Sequence, residues 1–241
     1  MERDGRKFLQ TLGHPVLRRE DGSVVGGLLR YRKDLALLAY LAIEGARPHS
    51  RAWLAALLWG ESTERLARHS LTQTLGRIAR TAGRDALVVE RESVRWTGAV
   101  QCDAVLLLGG GPPAGVDDEL ALYAGPFLEG FEAGFGSREF DEWAGRRRAD
   151  LRNAALARLE RLGAEAEATG DWDRALRLGE RAVQIDPVCE QGRRRVMRAL
   201  AARGERNRAL RYYEEFAAWL KKEVGADPDP DTRALAERLR A

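Results

Sequence analysis

Gly170-Asp171-Trp172 with Ala175, and Gly204-Glu205-Arg206 with Ala209, are one pattern written twice, 34 residues apart. The offset reaches beyond the glycines. Leu162, Ala166 and Leu176 fall on Val196, Leu200 and Leu210, all apolar positions of helix-type patterns. A 34-residue period belongs to repeats built as helical hairpins. The first copy also carries a Leu-Gly step at Leu162-Gly163, a small residue at Ala182 and a closing Pro187; the second lacks the proline. One hairpin cannot bury its apolar face alone, so helices on either side must complete the core. The C-terminal half is therefore expected to be a helical repeat module built to hold partners.

Composition bounds the rest. A chain of 241 residues, 44% hydrophobic, suffices for one or two ordinary domains. Cys102 and Cys189 are too few for a disulfide framework and lack metal-ligand spacing, so reduced thiols and no metal site are expected. The first seven residues, Met1 to Lys7, lack an apolar signal core. The longest apolar run, Leu35 to Ile43, is nine residues against about 20 for a membrane span, so a cytoplasmic, nucleoid-associated protein without membrane contact is expected. Catalytic motifs are missing. His14, His49 and His69 form no H-E-x-x-H pair, Gly109-Gly110-Gly111 lacks the lysine and hydroxyl of a phosphate loop, and no G-x-S-x-G elbow occurs. Neither an enzyme nor a cofactor is expected, and Asp117-Asp118-Glu119 reads as a solvated segment beside a Gly/Pro linker.

Charge is divided unevenly. Residues 1 to 100 hold 17 Lys+Arg against 11 Asp+Glu, and residues 101 to 241 hold 23 against 26. Only the first half carries a basic excess suited to a polyanion. It begins with strand-like runs, Lys7 to Leu12 and Pro15 to Arg19, and a turn at Asp21-Gly22 before Val24-Val25. Lys33 to Glu44 is apolar all round, as in a central buried helix, and Gly45 stops it. Ser50 is a good N-cap for a second helix carrying Trp53, Leu54, Leu57 and Leu58 and ending at Trp59-Gly60. A polar loop, Glu61 to Leu66, leads to a third helix of about Ala67 to Ala82.

That third helix divides most clearly into faces. Leu71, Leu75, Ile78 and Ala82 follow i, i+4, i+7, i+11 and point inward, whereas His69, Gln73, Gly76, Arg77 and Arg80 cluster opposite with Thr72 on the flank. Such side chains hydrogen-bond base edges or phosphates, and a glycine admits close backbone approach. Leu87 to Glu90 and Val94 to Thr97 then form a hairpin around Arg91-Glu92-Ser93, with Arg91 near its tip and Arg95 facing away from Val94 and Trp96. Three helices and a basic hairpin outline a winged helix-turn-helix, and the preceding strands give it the response-regulator style. The fold class expected is mainly α with a small β component.

These residues resemble the Streptomyces antibiotic regulatory protein family of transcriptional activators. Arg32-Lys33 leading into Ala36-Leu37-Leu38-Ala39-Tyr40-Leu41-Ala42 resembles its first helix, and Ser50-Arg51 through Leu57-Leu58-Trp59-Gly60 its second. Ala67-Arg68-His69-Ser70-Leu71 through Arg80 resembles its recognition helix. Asp103 is similar to the aspartate after its wing, Tyr123 to Leu128 and Trp143 through Arg147 to the entry of its activator domain, and Asp229-Pro230-Asp231-Thr232 to its C-terminal signature. The C-terminal period is that of tetratricopeptide repeats. Leu106 to Pro113 departs from the family, standing where a longer helix is usual.

The resemblance implies a winged helix over 1–103, a linker over 104–119 and a tetratricopeptide-like activator domain over 120–241. It implies binding to repeats in double-stranded promoter DNA. Thr72, Gln73, Arg77 and Arg80, with His69, would make base or phosphate contacts, and Lys33, Arg51 and Arg68 phosphate contacts; Arg91 and Arg95 would anchor the wing. It also implies RNA polymerase, through its sigma or alpha subunit, as a partner of the loop Glu61, Ser62, Thr63, Glu64 and Arg65, and a homodimer on DNA. The C-terminal aromatics Trp172, Tyr212, Tyr213, Phe216 and Trp219 are expected in the core. The competing reading is an interaction adaptor whose winged helix no longer reads DNA.

Overall fold

The computed structural model describes residues 7–26, 31–109, 121, 123–131 and 137–241. Two compact units divide the chain, Met1–Arg152 and Asn153–Ala241.

In the first unit, strands β1 (Lys7–Gln10) and β2 (Val16–Arg19) pair antiparallel, Leu9 opposite Leu17, and both leucines are fully buried. Helix α1 (Arg32–Glu44) is central: every residue from Asp34 to Ala42 is buried, and Gly45 ends it at φ +76°. β3 (His49–Ser50) runs into α2 (Arg51–Trp59), where Ser50 caps through its hydroxyl, accepting from the Trp53 N–H. α3 (Glu64–Thr81) follows, then the wing strands β4 (Leu87–Val89) and β5 (Ser93–Trp96). β5 lies between β3 and β4, so the wing is stitched to the start of α2. The chain returns through β6 (Gln101–Cys102), parallel to β1, and enters α4 (Asp103–Gly109). This is the expected winged helix, with a small sheet ahead of it.

Asp103 has a structural role. Buried at the start of α4, its carboxylate accepts from the backbone N–H groups of Thr11 (2.8 and 2.9 Å), Leu12 (2.9 Å) and Ala104 (2.7 Å) and from the Thr11 hydroxyl (2.5 Å). It satisfies the end of β1 where that strand runs out of ladder partners.

Three expectations change. The polar loop after α2 is shorter than six residues, because α3 begins at Glu64. Thr63 stands extended before it, and an acid in the first turn suits the positive helix end. Residues 104–109, expected in a linker, are helical, with Ala104 and Leu107 buried; 110–120, including Asp117-Asp118-Glu119, lie outside the described residues. Residues 123–131 belong to the first compact unit. Phe127 bridges Leu12, the Leu128 N–H donates to Thr11 O (2.8 Å), and Arg148 donates to the carbonyls of Phe127 (2.8 Å) and Phe131 (2.5 Å). Compaction therefore divides at Arg152, inside α5 (Arg138–Ala168).

The second unit holds the remainder of α5 with α6 (Trp172–Ile185), α7 (Glu190–Ala202), α8 (Arg206–Glu223) and α9 (Pro230–Arg240). The repeat is real in backbone terms, since Gly170 and Gly204 both sit at positive φ, +72° and +81°, where a side chain would be strained. Asp171 then caps α6, accepting from the Arg174 N–H (3.0 Å), whereas Glu205 spends its carboxylate on Arg203 and Arg208. α6 and α7 meet through glycines: a Cβ on Gly192 would lie 2.9 Å from the Ala182 Cβ, and one on Gly179 3.0 Å from the Gly192 carbonyl oxygen. Asp229-Pro230-Asp231-Thr232 is a helix start. Asp229 caps α9 through the Thr232 N–H (2.7 Å), and Arg194 of α7 donates to Asp229 (2.6 Å) and to the Thr232 hydroxyl (2.9 Å).

Of the aromatics expected in this core, only Phe216 is buried; Trp172, Tyr212, Tyr213 and Trp219 are half-buried. The Arg193 guanidinium lies 4.1 Å from the Phe216 ring centre and within 6 Å of those of Tyr212 (5.5 Å) and Trp219 (5.8 Å), so these three rings pack on a cation, while Tyr213 faces Arg240 at 5.7 Å.

Candidate nucleic-acid interface

α3 buries Ala67, Leu71, Thr74, Leu75 and Ile78 and leaves Arg68, His69, Thr72, Gln73 and Arg80 exposed, with Gly76 partly covered. The two sets occupy opposite sides of the helix, as the periodicity predicts. His69 and Gln73 touch through Nε2 and Nε2 at 2.9 Å. Arg68 pairs with Glu64 at 2.7 Å across one exposed turn, a contact of about 0.3–0.5 kcal/mol that a phosphate can displace. Arg80 is exposed and has no acidic partner among the described residues. A Cβ at Gly76 would meet only the Arg80 guanidinium, at 3.6 Å, so the fold itself does not require a glycine here.

Arg77 stands apart from this set. Its Nε and Nη2 donate to the Asp34 carboxylate at 2.6 and 2.8 Å, and Nη2 also reaches the Thr74 hydroxyl at 2.9 Å. The Asp34 side chain is 0% exposed and that of Arg77 24%. The Tyr31 ring lies 4.2 Å from the guanidinium carbon, and the hydrogen bond from Arg77 to Asp34 pushes the arginine's pKa up, holding it firmly charged. Arg77, expected to contact the groove, is engaged here in tying α3 to α1 through Asp34. It sits 100° beyond Gly76 on the helix, three residues from the buried Thr74, which puts it on the flank.

Arg51 is a hub. Its backbone N–H donates to Glu92 O (3.0 Å), Nη1 to Glu90 O (3.4 Å) and Nη2 to the Thr72 hydroxyl (2.9 Å), joining the start of α2, the wing tip and the exposed face of α3. Lys33 is turned elsewhere. Its ammonium donates to Leu58 O (2.6 Å) near the end of α2, 5.3 Å from the Trp59 ring centre, and burial pushes its pKa down. On the wing, Arg91 is almost wholly exposed beside Glu92 at 3.6 Å, and Arg95 is half-buried.

Of the five residues Glu61 to Arg65, the first three form the turn and the last two begin α3; all five are exposed. Arg65 was placed in that loop by sequence, yet helical spacing sets it on the face of Thr72 and Gly76, at i+7 and i+11. Arg84, exposed just past α3, was also missed. An earlier helix start, signalled by the Glu64/Arg68 pair, would have found Arg65. Among the described residues no group of three His, Cys, Asp or Glu could hold a metal ion, and no helix is long and apolar enough to cross a membrane.

Comparison with known proteins agrees with this geometry. A structure of Mycobacterium tuberculosis EmbR in complex with a low-affinity phosphopeptide is similar in fold, with a TM-score of 0.66 at 24% identity, over 98% of this chain and 65% of that one. The chain thus spans about two thirds of that protein's length. No curated protein matches it. The profile of the bacterial transcriptional activator domain matches residues 113–240, more than half of the sequence. With a winged helix ahead of a helical repeat unit, the chain belongs to the bacterial transcriptional activator domain family.

Proposed function

We propose that this regulator binds promoter DNA sequence-specifically and activates transcription there. The observation that carries the proposal is the exposed face of α3, where Arg68, His69, Thr72, Gln73 and Arg80 stand clear of the core while Asp34 and Arg77 lock the helix behind them. Gln73 and Arg80 have the chemistry to read base edges in the major groove; Arg68, Arg65 and Arg84 suit phosphates. Arg91 and Arg95 on the wing extend the basic face toward neighbouring backbone. The family assignment supports activation, and the exposed turn Glu61-Ser62-Thr63 is the surface we assign to RNA polymerase. The repeat unit would hold polymerase or a second copy on adjacent DNA repeats.

The test is selection from a pool of random duplexes at several salt concentrations, with sequencing of the retained fraction. Enrichment of a motif, with affinity falling as salt rises, is the expected result. Weak binding without enrichment would overturn the reading in favour of an interaction adaptor.

A further inference from the structure

The first unit contains a cleft of about 430 Å³ between α1, α2 and the start of α5, remote in sequence from the α3 face. That is the size of a small-molecule site. Its apolar wall is aromatic: Tyr40, Trp143 and Trp53, the last 47% exposed, an unusual position for an indole with no partner to cover it. The wall is fixed. The Trp53 indole N–H donates to the Tyr40 hydroxyl (3.2 Å), the Tyr40 and Trp143 rings lie 4.9 Å apart, and the Trp143 N–H donates to Glu44 (2.8 Å).

The charged rim carries both signs. Glu44 is consumed by Trp143, Arg147 and Arg47, Asp150 by Arg147, and Glu142 by Arg138. Arg146 has no acidic partner among the described residues, and Glu139, in the first turn of α5, has no salt-bridge partner among them. One unpaired cation, Arg146, and one carboxylate, Glu139, which accepts from the Ser137 hydroxyl and lies beside Arg138 yet keeps acceptor capacity, therefore flank an exposed aromatic surface. We infer that this cleft binds a small aromatic zwitterion of the amino-acid class, its ring on Trp53, its carboxylate on Arg146 and its ammonium toward Glu139. A species carrying only one charge would leave a rim residue of the other sign unpaired and face a like charge.

The test uses the full chain, ¹⁵N-labelled, with its indole N–H signal for Trp53 assigned from Trp53→Phe. L-Phenylalanine is the probe, compared with phenylpropionate, which lacks the ammonium, and phenethylamine, which lacks the carboxylate. We expect a saturable shift of the Trp53 signal with L-phenylalanine, and about tenfold weaker binding of either single-charge probe, the effect of losing one charge-assisted hydrogen bond. Arg146→Ala and Glu139→Gln should weaken L-phenylalanine by a similar factor while the other indole signals stay in place. No saturable shift up to about 10 mM, a range that covers millimolar affinities, would overturn the inference. So would equal binding of all three probes, or unchanged binding by Arg146→Ala. None of these readouts involves DNA, so failure here leaves the proposed function untouched.

Discussion

Asp34 and Arg77 lie 43 residues apart in sequence and share two hydrogen bonds, of 2.6 and 2.8 Å, with the carboxylate fully shielded from water. They set α3 against α1. An arginine that sequence assigns to the groove thereby becomes part of the scaffold.

Arg77→Ala should destabilise the first unit by about 3 kcal/mol, because removing one partner strands a buried charge. Urea unfolding measures it. A loss under about 1 kcal/mol would show the pair to be dispensable. Lost DNA binding by this variant is therefore no evidence of a base contact.

Arg80→Ala and Gln73→Ala should behave oppositely. Both side chains are exposed, so stability should change by less than about 0.5 kcal/mol. Affinity for the selected operator should fall by about 1–3 kcal/mol where a base contact is lost. Equal affinity for the selected operator, measured by fluorescence anisotropy, would remove these residues from the interface.

Gly76→Ala separates folding from reading. No neighbour is crowded by the new methyl, so the helix should gain about 0.5–1 kcal/mol of stability. DNA affinity should drop if the backbone lies close to the groove. A variant both more stable and equally tight would place Gly76 away from DNA.

In the second unit, Arg195 is 1% exposed and paired with Glu160 (2.7 Å) and Glu167 (3.2 Å), and a Cβ on Gly163 would lie 2.2 Å from its Nε. Gly163→Ala should cost about 1–3 kcal/mol as the arginine is displaced. The same substitution in an Arg195→Ala background should cost far less, a non-additivity seen in a double-mutant cycle. Additive losses would mean that the methyl clashes with something else.

Glu44 predicts an acid limb of stability. Burial pushes its carboxyl up, but hydrogen bonds from Arg147 and Trp143, with the charges of Arg147 and Arg47, outweigh this and hold it below its ordinary value. The contribution is complete above the unfolded pKa, near about 4.3, and is lost as pH falls through the folded one. The stability gap between wild type and Glu44→Gln should close from pH 6 toward pH 3, followed by denaturation at each pH. A constant gap would show that Glu44 keeps its ordinary pKa.

Local signals were readable where one element determines its own structure. The all-round apolar run at Leu35 to Ile43 forecast a buried helix, Ser50 a cap, and Gly170 and Gly204 the repeat turns. The face of α3 also followed from spacing alone. What periodicity missed depends on partners distant in sequence: Asp34 claiming Arg77, Leu58 O claiming Lys33, and Arg193 packing on the α8 rings of Tyr212, Phe216 and Trp219. Polar residues at the margin of a helix face carry no sign of which neighbour will take them. Arg65 was lost differently, because an exposed first turn has no apolar rhythm to announce it.

The clamp of Arg148 on the carbonyls of Phe127 and Phe131 bears on how such regulators can be recombined. A crossover placed where the family profile begins, at residue 113, would separate the winged helix from a loop and a helix segment that complete its own compact unit. Chimaeras that inherit residues 123–152 together with their native winged helix keep these hydrogen bonds. Evolutionary exchange between relatives should accordingly leave its breakpoints within the long helix, near Arg152.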